Sequence, residues 1–203
     1  MTTITVDGLG ERHLVAERAT LTARVAIAHA NRDRSMDLGA AVHSQLAGSA
    51  VRLREAAAAA TWHSIDVLTT NARVWTDKDG NKHQDHVTTG SVRIKLARLD
   101  LVADVVAELS AIGASVSTDW TLTDATRQRT IRELRIVAVQ DAQAKADDFA
   151  AALGTSVDRV ATLRESGGPA MPAARGAAGG ARDELTIPEI TVRVAVVAEF
   201  DTH

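Results

Sequence analysis

Apolar and polar positions alternate along several stretches of the chain, and along others the apolar ones recur every three or four residues. The first period marks strands and the second marks helices. Thr2–Val6 alternates and predicts a short strand, closed by a turn at Asp7-Gly8-Leu9-Gly10. Thr20–Ala30 sets Leu21, Ala23, Val25 and Ile27 against Thr20, Thr22, Arg24 and Ala26, the pattern of a half-buried strand. From Ser35 to Ala60 the period changes. Leu38, Val42, Leu46, Ala50, Leu53 and Ala57 form one apolar stripe, with Ser35 as the candidate N-cap of a first helix.

Ile65–Thr76 and His83–Leu96 are extended runs separated by Asp77-Lys78-Asp79-Gly80-Asn81-Lys82, a cluster of turn residues. Together they predict a long β-hairpin. Leu99, Val102, Val105, Val106, Leu109 and Ile112 mark a second helix, closed by Gly113 at C′. Val116, Thr118, Trp120 and Leu122 mark a strand. Ile131, Leu134, Ala138, Ala142, Ala146, Phe149 and Leu153 mark a third helix ending at Gly154. Val157–Glu165 and Ile187–Phe200 are strands, separated by a Gly/Ala/Pro-rich loop over 166–183 that is long for an internal connection. The order β-β-α-β-β-α-β-α-β-β predicts an α+β fold, a mixed or antiparallel sheet packed by three helices, as one domain over residues 1–203.

Composition changes this picture in three ways. Aromatic residues make up 2% of the chain, so the core is left to Val, Leu, Ile and Ala. Alanine faces bring helices close to a sheet but bury little area each, which favours further burial by self-association. The chain has no Cys, which removes disulfides, thiolate zinc sites and Cys nucleophiles. The net charge of −3 offers no basic field for a phosphate backbone, so nucleic acid is not an expected partner. No basic-then-apolar leader precedes the first strand, and no apolar run approaches the roughly 20 residues of a membrane helix. A cytoplasmic location without membrane insertion is the expectation, or a periplasmic or secreted one if a leader has been removed.

The chemistry-bearing residues are sparse. Asp77-Lys78-Asp79-Gly80-Asn81 begins like a calcium loop, but the sixth position is Lys82 and the twelfth is Thr88. Glycine and a bidentate Glu are needed there, so a solvated turn is expected. His83, Asp85 and His86 are the densest set of candidate metal ligands. His83 and Asp85 share a strand face and His86 points away, a partial site by ligand count. His13, His29, His43 and His63 are scattered, with no nucleophile motif near any of them. Gly8-Leu9-Gly10 lacks the third glycine and the following helix of a dinucleotide fingerprint. No cofactor is expected, and no catalytic residue. Trp62, Trp75 and Trp120 are the large anchors. They are expected in the core or over a sheet edge, with Trp75 and its neighbours Val74 and Arg73 as the candidate interface on the hairpin.

These segments together resemble one family. Ile4-Thr5-Val6-Asp7-Gly8-Leu9-Gly10-Glu11 is similar to the opening strand of SIMPL-domain proteins, and Ala19–Val25 to their second strand. Trp62–Val74 resembles their helix-to-strand segment. Ile112-Gly113-Ala114 with Leu122-Thr123-Asp124 resembles the stretch after their second helix. The Ala-rich run from Ala138 to Gly154 and the closing strand Ile190–Phe200 fit as well. The resemblance implies bacterial envelope or periplasmic relatives, some linked to oxidative-stress defence, large ring-like or channel-like homo-oligomers, and no established catalytic residues. The expected function is a non-enzymatic, oligomer-forming or protein-interaction module connected with stress, its protein partner unknown. The alternative is a small-ligand or metal-binding protein using the His83/Asp85/His86 region.

Overall fold

Eight strands and three helices follow one another in a computed structural model that describes residues 2–55, 59–166 and 186–203. The order is β1 (Thr3–Val15), β2 (Arg18–His29), α1 (Arg32–Glu55), β3 (Ala60–Ile65), β4 (Thr69–Thr76), β5 (Lys82–Leu96), α2 (Val102–Ala111), β6 (Ser115–Thr121), α3 (Asp124–Ala152), β7 (Val157–Glu165) and β8 (Glu189–Thr202). All strand pairs among the described residues are antiparallel. The chain is therefore α+β, with helix-packed antiparallel sheets. Packing divides it into two compact units, one of Glu17–Thr121 and one of Met1–Ala16 with Leu122–His203. The Gly/Ala/Pro-rich segment 166–183 lies outside the described residues except for Ser166, whose N–H donates to the Ala195 carbonyl oxygen at 2.9 Å. Ala57, expected in the first helix, also lies outside them.

The unit of β1, α3, β7 and β8 is a three-stranded sheet in the order β1-β8-β7 with α3 along one face. Alternation puts Ile4 and Val6 of β1 and Val192, Val194, Val196, Ala198 and Phe200 of β8 on the helix side. The helix meets them with Ile131, Leu134, Ala138, Ala142, Ala146 and Ala150. Ala146 is buried as expected, but Phe149 and Leu153, expected on this stripe, are exposed, and the buried line continues from Ala146 to Ala150 instead. The turn expected at Asp7–Gly10 is absent. Strand β1 runs through it in unbroken register, Gly8 opposite Val196 and Gly10 opposite Val194. The glycines make room for the helix: a Cβ on Gly10 would fall 2.4 Å from the Leu134 carbonyl oxygen. A strand interior tolerates glycine where another backbone approaches this closely.

Strand β1 is an edge of its sheet, and α3 caps the open side. The Leu9 N–H donates to Asp141 Oδ2 at 2.8 Å, and Lys145 Nζ donates to the Asp7 carbonyl oxygen at 2.9 Å and to Asp141 at 2.7 Å. Backbone groups of residues i and i+2 point to one side of a strand, so the helical pair occupies the position a further strand would take.

The other unit is a five-stranded sheet with the path β3-β5-β2-β6 and β4 also paired to β5. Its core joins Leu21, Ala23 and Val25 of β2 and Val92, Ile94 and Leu96 of β5 to Leu46 and Ala50 of α1 and Val105 and Leu109 of α2. Strand β3 was not legible in sequence; residues through Ala60 read as helix, yet β3 begins at Ala60 and pairs with β5. Helix α1 starts earlier than Ser35. Asn31 is its cap, its Oδ1 accepting the Arg34 N–H at 2.9 Å. Ser35 is instead fully buried. Its hydroxyl meets the Ile27 and His86 carbonyl oxygens and Thr88 Oγ1, each at 2.9 Å. Leu38 is exposed, because the buried side of α1 runs through Ser35, Gly39, Leu46, Ser49 and Ala50. Gly113, with φ +98°, ends α2 as expected.

Candidate functional site

The β4–β5 hairpin is longer than the sheet that carries it. Strand β2 pairs with β5 only as far as His29 opposite His86, so Lys82–Asp85 and the facing Arg73–Thr76 pair with each other alone. At about 3.3 Å per residue the overhang is roughly 13 Å long before its turn.

The turn is organised by one carboxylate. Asp77 Oδ1 accepts the Asp79 N–H at 3.0 Å and the Asn81 N–H at 2.8 Å. Its Oδ2 accepts from the Asn81 amide at 3.1 Å and lies 2.7 Å from His83 Nε2. Gly80 takes the left-handed conformation at φ +85° that closes the loop. The Asp77 carboxyl is held below its ordinary value, first by the His83 hydrogen bond and then by the Asn81 N–H. The oxygens that a calcium loop would turn to a cation are thus turned to backbone and side-chain donors of the turn itself.

Beside the turn, the Trp75 and His83 rings stack with centroids 4.6 Å apart. The Trp75 indole N–H donates to Asp85 Oδ2 at 2.8 Å, and Arg73 approaches the same oxygen at 3.4 Å. Trp75 faces His83 and Arg73 faces Asp85 across the ladder, so all four side chains share one face of the overhang. Val74, opposite Gln84, lies on the other face with 64% of its surface exposed. The three interface candidates therefore divide, Arg73 and Trp75 on one face and Val74 on the other.

The metal candidates divide too. His83 and Asp85 share the face with Trp75, as their spacing predicts, but His83 is engaged by Asp77 and Asp85 by Trp75 and Arg73. His86 is on the opposite face, across from Ala72 and His29. Among the described residues no three His, Asp or Glu side chains gather as a metal group. His13 and His29 are exposed, and His43 and His63 are half-buried, with His43 Nε2 and His63 Nδ1 lacking partners among the described residues. Of the tryptophans, Trp120 packs against the core, while Trp62 and Trp75 are each 42% exposed on strands at the β3/β4 edge. The role of Asp77 is not legible in the sequence, because a turn-forming Asp carries no mark of which donors it will collect.

Antiparallel sheets packed by helices, carrying a self-paired hairpin, define the class of this α+β protein. The chain belongs to the SIMPL family, described as a protein of unknown function (DUF541), whose model matches residues 4–200. No curated protein matches it. Among the described residues no helix is long and apolar enough to cross a membrane.

Proposed function

We propose that this chain is a non-enzymatic module that works by protein contact, assembling with copies of itself or with a protein partner in a stress-related role. The observation that carries the reading is the overhanging hairpin. It presents Trp75, Arg73 and Val74 on strands that no other part of the sheet supports. A half-exposed tryptophan held rigid by stacking and an indole hydrogen bond offers a large contact area whose ordering cost is already met. Edge strands and unpaired hairpins are common sites of homo-oligomer contact. The absence of an expected catalytic constellation in the sequence agrees with this reading. The metal-binding alternative is favoured by no observation, since His83 and Asp85 already have partners.

Size-exclusion chromatography with light scattering tests the proposal. Wild-type protein is expected above the monomer mass of 21.4 kDa, and the Trp75→Ala and Val74→Asp variants are expected to shift toward it. A wild-type protein that stays monomeric at high concentration, and retains no protein partner through its hairpin, overturns it.

A further inference from the structure

On the outer face of the five-stranded sheet, Trp62 of β3 stands among polar side chains of β5 and β2. Register sets Thr20 of β2 between Asp119 of β6 and Lys95 of β5, and Lys95 beside Trp62 of β3. Arg18 follows on β2, opposite Thr121. Between Ala60 and Trp62 the β3 register shifts, a bulge that turns Thr61 so that its hydroxyl donates to the Lys95 carbonyl oxygen at 3.2 Å. Bulges commonly re-aim a side chain in this way. Arg18, Thr20, Thr61, Trp62 and Lys95 line a shallow cavity of ≈ 630 Å³, within the size range of small-molecule sites.

The chemistry of these five side chains is specific. The Trp62 indole is an apolar platform with 42% of its surface exposed, and the Arg93 guanidinium, 5.8 Å from the ring centroid, helps hold its orientation. Arg93 is itself taken up by Asp66 at 3.8 Å. Lys95 forms no such pair among the described residues. Arg18 spends one donor on the Glu17 carbonyl oxygen at 2.7 Å, out of the five its guanidinium carries. The Thr20 and Thr61 hydroxyls add neutral polar groups on the cavity wall.

We propose that this cavity binds a small molecule combining a planar ring with an oxyanion, the ring on Trp62 and the anion between Arg18 and Lys95. A cationic ligand meets two like charges. A bare inorganic anion leaves the indole unused, and a neutral ring leaves both cations without a partner. Only the combination engages the whole lining, and a carboxylate or a phosphate supplies the same anionic chemistry. This site lies apart from the hairpin tip and does not depend on the assembly reading.

The test is a titration of the full-length ¹⁵N-labelled protein followed by NMR, in which the three indole N–H signals report separately. Phenyl phosphate and phenylacetate are the probes. Inorganic phosphate and benzyl alcohol each carry one of the two features. At least one probe is expected to shift the Trp62 signal saturably with a Kd on the order of 1 mM, about tenfold tighter than either single-feature compound. Whichever probe binds more tightly identifies the anion as phosphate or carboxylate. Lys95→Gln and Arg18→Gln should each weaken binding about three- to tenfold, and Asp119→Asn, by removing the negative charge opposite Thr20, should strengthen it. An unchanged Trp120 signal in each variant establishes that the core is intact. No saturable shift with either probe, equal binding of benzyl alcohol, or indifference to both Lys95→Gln and Arg18→Gln overturns the proposal.

Discussion

A Cβ on Gly8 would stand 2.0 Å from the carbonyl oxygen of Ala138. The strand and the helix are therefore in backbone contact at this point, and no side chain fits between them. Gly10 and Leu134 repeat the relationship one pleat further along. Gly→Ala in an ordinary extended strand stabilises by about 0.4–1 kcal/mol, because it restricts the unfolded chain. Here the clash is with backbone, which cannot rotate away, so the sign reverses. Gly8→Ala and Gly10→Ala are each expected to destabilise by about 3 kcal/mol, the upper range of overpacking. Urea unfolding of the two variants checks this. Wild-type midpoints would show that α3 does not press on β1.

Asp141 and Lys145 close the edge of β1, and their contribution is pH-dependent. The Asp141 carboxyl is held below its ordinary value of 3.8, first by the Lys145 hydrogen bond and next by the Leu9 N–H. A carboxyl with a depressed folded value stabilises fully above its unfolded value and loses that stabilisation as pH falls through the folded one. Stability should therefore fall with acid from about pH 4 downward, and Asp141→Asn should remove that part of the dependence. At neutral pH the same variant is expected to cost about 1 kcal/mol, a charged hydrogen bond discounted for solvent exposure. Chemical denaturation across pH 2–7 separates the two statements. Parallel stability curves for wild type and Asp141→Asn would rule out the edge cap as a titrating element.

Ser35, Gly39 and Thr88 make a second close contact, between α1 and β5. A Cβ on Gly39 would fall 2.5 Å from Thr88 Cγ2, while Thr88 Oγ1 is shared by Ser35 at 2.9 Å and Thr70 at 2.8 Å. Gly39→Ala alone is expected to cost about 2 kcal/mol by overpacking, less the helix-propensity gain of alanine. Thr88→Ser keeps the hydroxyl and deletes the methyl, so the double variant should recover at least about 1 kcal/mol of that loss. A double-mutant cycle by thermal or urea unfolding measures the coupling. An additive cycle would mean that the methyl is not what excludes the side chain.

These contacts explain which parts of the fold were legible. Strands β2, β5 and β8 show clean alternation, because one face of each is buried and the period survives in sequence. Helix α3 shows its Ala stripe for the same reason. Gly8-Leu9-Gly10 misleads because the same residue serves turns and close backbone approaches, and only the helix position decides between them. Ser35 misleads likewise: a serine before an apolar stripe fits a cap, whereas here its buried hydroxyl lies within hydrogen-bond reach of the Ile27 and His86 carbonyl oxygens and of Thr88 Oγ1, one turn inside the helix. Strand β3 was hidden because Ala59 and Ala60 continue an alanine run that reads as helix. With β3 unread, the pairing of Trp62 with Lys95 had no register on which to appear. The hairpin was legible from its turn residues, but the engagement of His83 by Asp77 depends on ring orientation, which spacing does not encode.

At the hairpin tip, one residue should control local order without controlling the fold. Asp77 collects the Asp79, Asn81 and His83 donors, and His83 in turn stacks on Trp75. The overhang pairs only with itself, so its opening is a local event. Asp77→Ala should move the Trp75 indole N–H signal toward its unstructured position and speed exchange of the Asn81 amide. The Trp120 signal and the melting temperature should stay at their wild-type values. Acid should imitate the variant, because the Asp77 carboxyl is depressed by His83 and the Asn81 N–H; the tip stays closed above pH 3.8 and opens as pH falls through the lower folded value. If Trp75 assembles the protein, Asp77→Ala should also lower the oligomeric mass at neutral pH while leaving the monomer folded. NMR and light scattering on the same sample check both halves, and an unmoved Trp75 signal in Asp77→Ala would show that the stacked pair orders the tip without the carboxylate.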